Sequence, residues 1–247
     1  MQMRFFDDAE SLACAAAQIV STVLRENPQA KLGLPTGSTP LGLYAELARL
    51  HAEENLSFAE ATAFNLDEYV GLSATSPQSY QYFMEENLFK HIDLPLESRY
   101  IPSGTAEDPV AEAARYEALL AEHGPLDLLI LGIGTNGHIG FNEPGSSWDS
   151  ICRVVDLAEE TISSNARFFT GEGETVPSKA ITMGITNIMS AKKIILMAMG
   201  KSKAECIKAA LSYEPTEAIP ASVLQKHENL VVLLDDDAAD LLGWMRF

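Results

Sequence analysis

One histidine, several carboxylates and two short loops carry most of the chemistry this sequence could perform. In the run "GIGTNGHIGFNEPG" (132–145), three glycines lead to His138, Asn136 stands two residues before it and Glu143 five residues after it. A glutamate accepting from one imidazole nitrogen fixes the tautomer and leaves the other nitrogen available for proton transfer. No second His or Cys stands at ligand spacing, so the run predicts acid–base chemistry rather than metal binding. In "FNLDEYVG", Asp67 and Glu68 are adjacent at the end of an apolar run. Partial burial there lifts a carboxylate into the range useful for proton abstraction. The competing reading of the pair is one helix-capping acid and one solvent-facing acid.

The run "PTGSTP" follows another apolar stretch and comprises Pro35, Thr36, Gly37, Ser38, Thr39 and Pro40. Backbone N–H groups and hydroxyls at a helix N-terminus suit a phosphate, although Ser38 or Thr39 could equally serve as an ordinary N-cap. There is no Walker lysine and no GxGxxG here, so a nucleotide is not indicated. Two cations are candidates for holding an anion: Arg167 in "SSNARFF" and Lys203 in "MGKSKAE", with Lys201 competing for the second role.

The elements that must position these residues are legible as alternating strands and helices. Strands are expected at 31–34, 62–66, 126–133, 193–199 and 230–234, and helices at roughly 9–26, 39–54, 78–91, 109–123 and 202–212. Runs such as "LDLLILGI" are apolar on both faces, as strands covered on both sides must be. The alternation predicts an α/β fold, Rossmann-like, with a mostly parallel sheet and helices on both faces. With no repeat, linker or composition break, 1–247 reads as a single domain. The least regular stretch, about 144–180, reads as a lid segment. Ligands of such sheets bind at the carboxyl ends of the strands, and each candidate loop follows a strand.

Composition narrows the partners. The 247 residues are 47% hydrophobic and 21% charged, with a net charge of −18. Nucleic acid and anionic membrane surfaces both require concentrated Lys and Arg, so both are excluded. An anionic small molecule must then be met by a few local cations. Three scattered cysteines without a CxxC fit a reducing compartment, and the N-terminus lacks a signal-peptide h-region. No segment approaches the ~18 consecutive apolar residues of a membrane helix. A cytoplasmic location is expected.

Taken together, "LGLPTGSTP", "FNLDEYVGL", "GIGTNGHIGFNEPG" and "NARFF" resemble the glucosamine-6-phosphate deaminase family, over about residues 31 to 235. The resemblance implies conversion of glucosamine 6-phosphate to fructose 6-phosphate with release of ammonia, a step of amino-sugar catabolism, with no metal and no cofactor. By motif, it makes Asp67 the base at C2 of the open-chain sugar and His138 the ring-opening proton shuttle, tuned by Glu143 and Asn136. The loop Pro35, Thr36, Gly37, Ser38, Thr39, with Arg167 and Lys203, is implied to hold the 6-phosphate. Some members carry Asp where Asn136 stands, which places more of the support of His138 on Glu143. The larger, allosterically activated members carry Lys where Val155 stands and a longer C-terminal tail. The resemblance is closer to the short, non-allosteric type, which implies a monomer or low-order homo-oligomer not activated by N-acetylglucosamine 6-phosphate. 6-Phosphogluconolactonase shares the fold, but lactone hydrolysis needs no base at C2.

Overall fold

A computed structural model of the chain describes residues 1–171 and 174–243. Positions 172–173 of the expected lid segment and 244–247 of the expected domain lie outside the described residues. The strands are β1 (Gln2–Phe6), β2 (Lys31–Leu34), β3 (Thr62–Asn65), β4 (Asp67–Tyr69), β5 (Arg99–Tyr100), β6 (Leu128–Leu131), β7 (Arg153–Asp156), β8 (Lys179–Thr182), β9 (Ile194–Ala198) and β10 (Leu230–Asp235). The α-helices are α1 (Ala9–Glu26), α2 (Leu41–Glu54), α3 (Tyr80–Asn87), α4 (Pro109–His123), α5 (Glu159–Asn165), α6 (Ile185–Met189) and α7 (Ala204–Ser212).

Local signals account for the helix boundaries that matter here. Asp8 caps α1 by accepting from Ser11 N at 2.7 Å, and Asp108 caps α4 ahead of Pro109. Proline in the first turn forfeits no hydrogen bond, because that N–H has no intrahelical partner. The expected helices at 9–26 and 109–123 form over those residues, whereas α2 starts at Leu41 and α7 at Ala204. The expected helix at 78–91 is shorter: α3 ends at Asn87, and Phe89–His91 is a separate 3-10 turn.

The main sheet has seven strands in the order β1-β10-β9-β6-β2-β3-β5, every pairing parallel. Its central strands are buried on both faces. In β6, Leu129 and Leu131 face one core while Leu128 and Ile130 face the other. The same alternation divides Ile194, Leu196 and Ala198 of β9 from Ile195 and Met197. This period of two through uninterrupted apolar runs is why the strands were legible.

A second sheet, β4-β8-β7, is antiparallel and was not expected. It corrects two readings. Asp67 and Glu68 follow β3, as expected, but they neither start a helix nor face solvent: they open β4, with Asp67 paired with Thr182 of β8. The 144–180 stretch is not irregular throughout, because it contains β7, α5 and the start of β8.

The path of the chain also creates a crevice. From β2 it moves through β3 to β5 on one side, and β6, β9 and β10 then fill the other side. The order therefore reverses between β2 and β6, and an open sheet of this kind leaves a cleft beyond the carboxyl ends of the strands at such a point.

Candidate active site

The loop after β2 is held by two buried side chains and leaves its amides open. Asn65 Nδ2 donates to Leu34 O at 3.1 Å and the Tyr44 hydroxyl donates to Pro35 O. Among the described residues, the N–H groups of Thr36, Gly37, Ser38 and Thr39 find no carbonyl or side-chain acceptor. The N-cap of α2 is Pro40, with no side-chain capping bond. Ser38 and Thr39 are therefore not N-caps, and their hydroxyls remain available to a ligand.

β4 separates the functions of two adjacent acids. Glu68, 2% exposed, accepts from the backbone N–H groups of Tyr69 (2.8 Å), Tyr80 (3.0 Å) and Gln81 (2.9 Å). It thus fastens the start of α3 to β4. The carboxylate of Asp67, a residue 6% exposed, accepts no hydrogen bond from any described residue. Successive strand residues point to opposite sides, so one acid is built into the structure and the other faces the cleft. Burial, with the Glu68 charge adding to it, pushes the Asp67 carboxyl up to about 8. Burial also pushes Glu68 up to about 7, against the three N–H donors.

The turn after β6 is shaped around the His138 ring. A Cβ at Gly134 would stand 2.2 Å from the imidazole, so only glycine fits there. Gly137 adopts φ +86°, in the region that favours glycine. His138 Nδ1 lies 2.8 Å from Asn136 Oδ1 and 3.5 Å from Glu143 Oε2. The nearer partner of the imidazole is therefore Asn136, while Glu143, at the longer distance, also accepts from Asn136 Nδ2 at 2.9 Å. Glu143 therefore supports the ring both directly and through Asn136. With Nδ1 donating to an amide oxygen, Nε2 is the acceptor nitrogen. Half-burial raises the Glu143 carboxyl, but hydrogen bonds from His138, Thr161 and Asn136 outweigh it and hold the group at about 2. Glu143 is thus a carboxylate at any physiological pH.

The two cations approach from different elements. Lys203 closes a 3-10 turn after β9 and donates to Ile133 O at 2.7 Å. Burial, assisted by nearby Arg167, lowers its pKa. Arg167 is exposed, in the 3-10 turn after α5, with its guanidinium 4.7 Å from the centre of the Phe168 ring.

These groups line one cavity of about 400 Å³ at the carboxyl ends of β2, β3, β6 and β9. Pro35, Thr36, Gly37, Ser38, Thr39, Asp67, Asn136, His138, Arg167 and Lys203 all reach it. Glu143 and Lys201 do not. Sequence reasoning missed Tyr80, Thr161, Ser164, Asn165 and Ser202, which also line it. Only Ser202 carried a usable signal, its place beside Lys203. The others depend on how α3 and α5 dock. Among the described residues no cluster of three His, Cys, Asp or Glu stands in metal-binding geometry.

The family described as glucosamine-6-phosphate isomerases/6-phosphogluconolactonase matches residues 7–233. The chain belongs to this family. Within it, glucosamine-6-phosphate deaminase 1 of Bacillus subtilis is 49% identical over 232 residues, 94% of this chain and 96% of that protein. The solved structure of a monomeric glucosamine-6-phosphate deaminase is 47% identical with a TM-score of 0.95, covering 98% of this chain and all of the other. A 6-phosphogluconolactonase from Trypanosoma brucei, 23% identical with a TM-score of 0.77 over 98% of each chain, shows the shared fold alone. The family and α/β architecture expected from the sequence are borne out.

Proposed function

We propose that the protein is a glucosamine-6-phosphate deaminase, which converts glucosamine 6-phosphate and water to fructose 6-phosphate and ammonia. The observation that carries this reading is the placement of an unbonded, buried Asp67 in the same cavity as His138 and the open amides of Thr36–Thr39.

The 6-phosphate sits against the 36–39 amides at the approach to α2, with Lys203 and Arg167 supplying the charge. An anion at this position gains from the helix dipole as well as from the N–H groups. Held there, the phosphate supplies binding energy remote from the reacting carbons. His138 Nε2 takes the proton from the C1 hydroxyl and returns it to the ring oxygen, which opens the pyranose to the aldehyde. Asn136 holds the tautomer that makes Nε2 the acceptor, and the Glu143 carboxylate stabilises the imidazolium formed in passing. Asp67 then removes the C2 proton, giving an enolamine, and delivers it to C1. Water adds to the resulting imine at C2 and ammonia leaves. Each positioned acid or base of this kind typically contributes roughly 10²–10⁴-fold. The 144–180 stretch, which brings Arg167 to the cavity, serves as the lid.

We further propose a monomer without activation by N-acetylglucosamine 6-phosphate, consistent with Val155 where the activated members carry lysine. The three free cysteines suit a cytoplasmic setting, and no helix among the described residues is long and apolar enough to cross a membrane.

The test is ammonia release from glucosamine 6-phosphate by the wild type and by Asp67→Asn, with galactosamine 6-phosphate and 6-phosphogluconolactone as competing substrates. Ammonia from the glucosamine substrate that is lost in the variant supports both reaction and base. Turnover of the lactone alone overturns the reaction while leaving the phosphate site. Preference for the galactosamine epimer overturns the assigned substrate.

A further inference from the structure

Helix α5 touches three parts of the site through side chains to which the proposed chemistry gives no step. Thr161, 2% exposed, donates its hydroxyl to Glu143 Oε1. Glu160 Oε1 accepts from Thr135 Oγ1, in the turn that carries His138, at 3.0 Å. Asn165 Nδ2 donates to the Tyr69 hydroxyl, in the strand that carries Asp67, at 2.8 Å. Arg167 lies in the turn that follows directly.

The Thr161 contact has a consequence the others lack. Among the described residues, Asn136 Nδ2 donates to Glu143 Oε2, which also faces His138 Nδ1 at 3.5 Å, and Thr161 is the donor to Oε1. A carboxylate fixed at both oxygens cannot rotate, so the Asn136 amide keeps its oxygen toward His138 Nδ1. Without the Thr161 donor, Oε1 is a half-buried carboxylate oxygen lacking its partner. Glu143 already stands 3.5 Å from His138 Nδ1, close enough to rotate, displace the Asn136 oxygen and take that N–H itself. The ring would then sit differently over the substrate.

We infer that Thr161 is a positioning residue for proton transfer at His138, holding the Glu143 carboxylate, and through it the Asn136 amide, in the orientation that aligns the ring. The inference rests on the deaminase reading of the site.

Thr161→Val keeps the shape and removes the donor, whereas Thr161→Ser keeps the donor. The readouts are kcat for ammonia release and the Kd for the open-chain amino-alditol 6-phosphate, which fills the site but presents no ring to open. The valine variant is expected to lose roughly 10- to 100-fold in kcat, the penalty of a misaligned catalytic group, with the alditol Kd within about twofold. The serine variant is expected to recover most of the rate. Wild-type kcat in the valine variant overturns the inference, as does a loss of alditol binding in parallel with kcat. If valine unfolds the chain, Thr161→Ala set against Thr161→Ser makes the same comparison. Absence of ammonia from the wild type overturns the deaminase reading itself, a result distinct from an active wild type with an unaffected valine variant.

Discussion

The Glu68 carboxylate receives three backbone N–H groups, while the carboxylate of Asp67, its neighbour in β4, receives none from any described residue. The pair divides by the geometry of a single strand: one carboxylate is saturated by the start of α3, and the other is left to face the cavity. Most of the expected behaviour of the site follows from this division.

Asp67→Asn should abolish ammonia release while stabilising the fold. The Asp67 pKa is raised from 3.8 to about 8 in the folded chain. Between those values the folded state holds a proton that the unfolded chain has released, so stability falls as pH rises through this window and is lowest above 8. Asparagine removes the buried charge. A gain of about 1–3 kcal/mol is expected at pH 8.5, and much less at pH 4, in denaturant titrations of the two proteins.

The rate should depend on pH in the same window with the opposite sign. Asp67 acts as a base only when ionised, so kcat/KM is expected to rise with pH and level off above about 8, because that ratio reports groups of the free enzyme. Glu68→Gln removes the neighbouring charge that helps to raise Asp67 and should move this limb to lower pH. A limb that stays in place in the glutamine variant contradicts the coupling.

Gly134→Ala should cripple catalysis more than binding. Its Cβ would stand 2.2 Å from the His138 ring, so the imidazole must leave its position beside Asn136. A displacement on this scale typically lowers a rate by about 10²-fold. Because the 36–39 loop is untouched, the affinity for fructose 6-phosphate, measured calorimetrically, should stay near that of the wild type.

Loss of either cation should act on binding instead. Arg167→Ala and Lys203→Ala each remove a charge-assisted contact to phosphate, which is worth roughly 1.5–3 kcal/mol. The expected signature in initial-rate kinetics is a KM raised by one to two orders of magnitude, on the scale where each 1.4 kcal/mol is about tenfold, with kcat falling less. Lys203 already donates to Ile133 O, so its alanine variant should also lower the melting temperature, whereas exposed Arg167 should not affect it.

Much of this arrangement was legible in the sequence because two-sided burial writes strands as unbroken apolar runs. "LDLLILGI" marked β6, and the residues after it marked the turn with His138. The helices capped by Asp8 and Asp108 were equally clear. The second sheet was not legible. β4 and β7 are three and four residues long, β7 is only partly buried, and their pairing with β8 is set by tertiary contact rather than local pattern. The same holds within the site. Spacing suggested that Glu143 meets His138, as it does at 3.5 Å, but the closer contact from the Asn136 amide depends on a side-chain orientation that spacing does not encode. Thr161 and Asn165 reach the cavity only because α5 docks against β4 and the 132–143 turn.

The reversal of strand order between β2 and β6 also makes the site a reporter of complete folding. Its phosphate loop follows β2, its base lies in β4, its proton shuttle is in the turn after β6 and Lys203 comes from beyond β9, so the complete site draws on both sheets and on elements far apart in the chain. During synthesis the enzyme is therefore silent until the segment after β9 is in place, and ammonia release measures the fraction of molecules that have brought all four parts together.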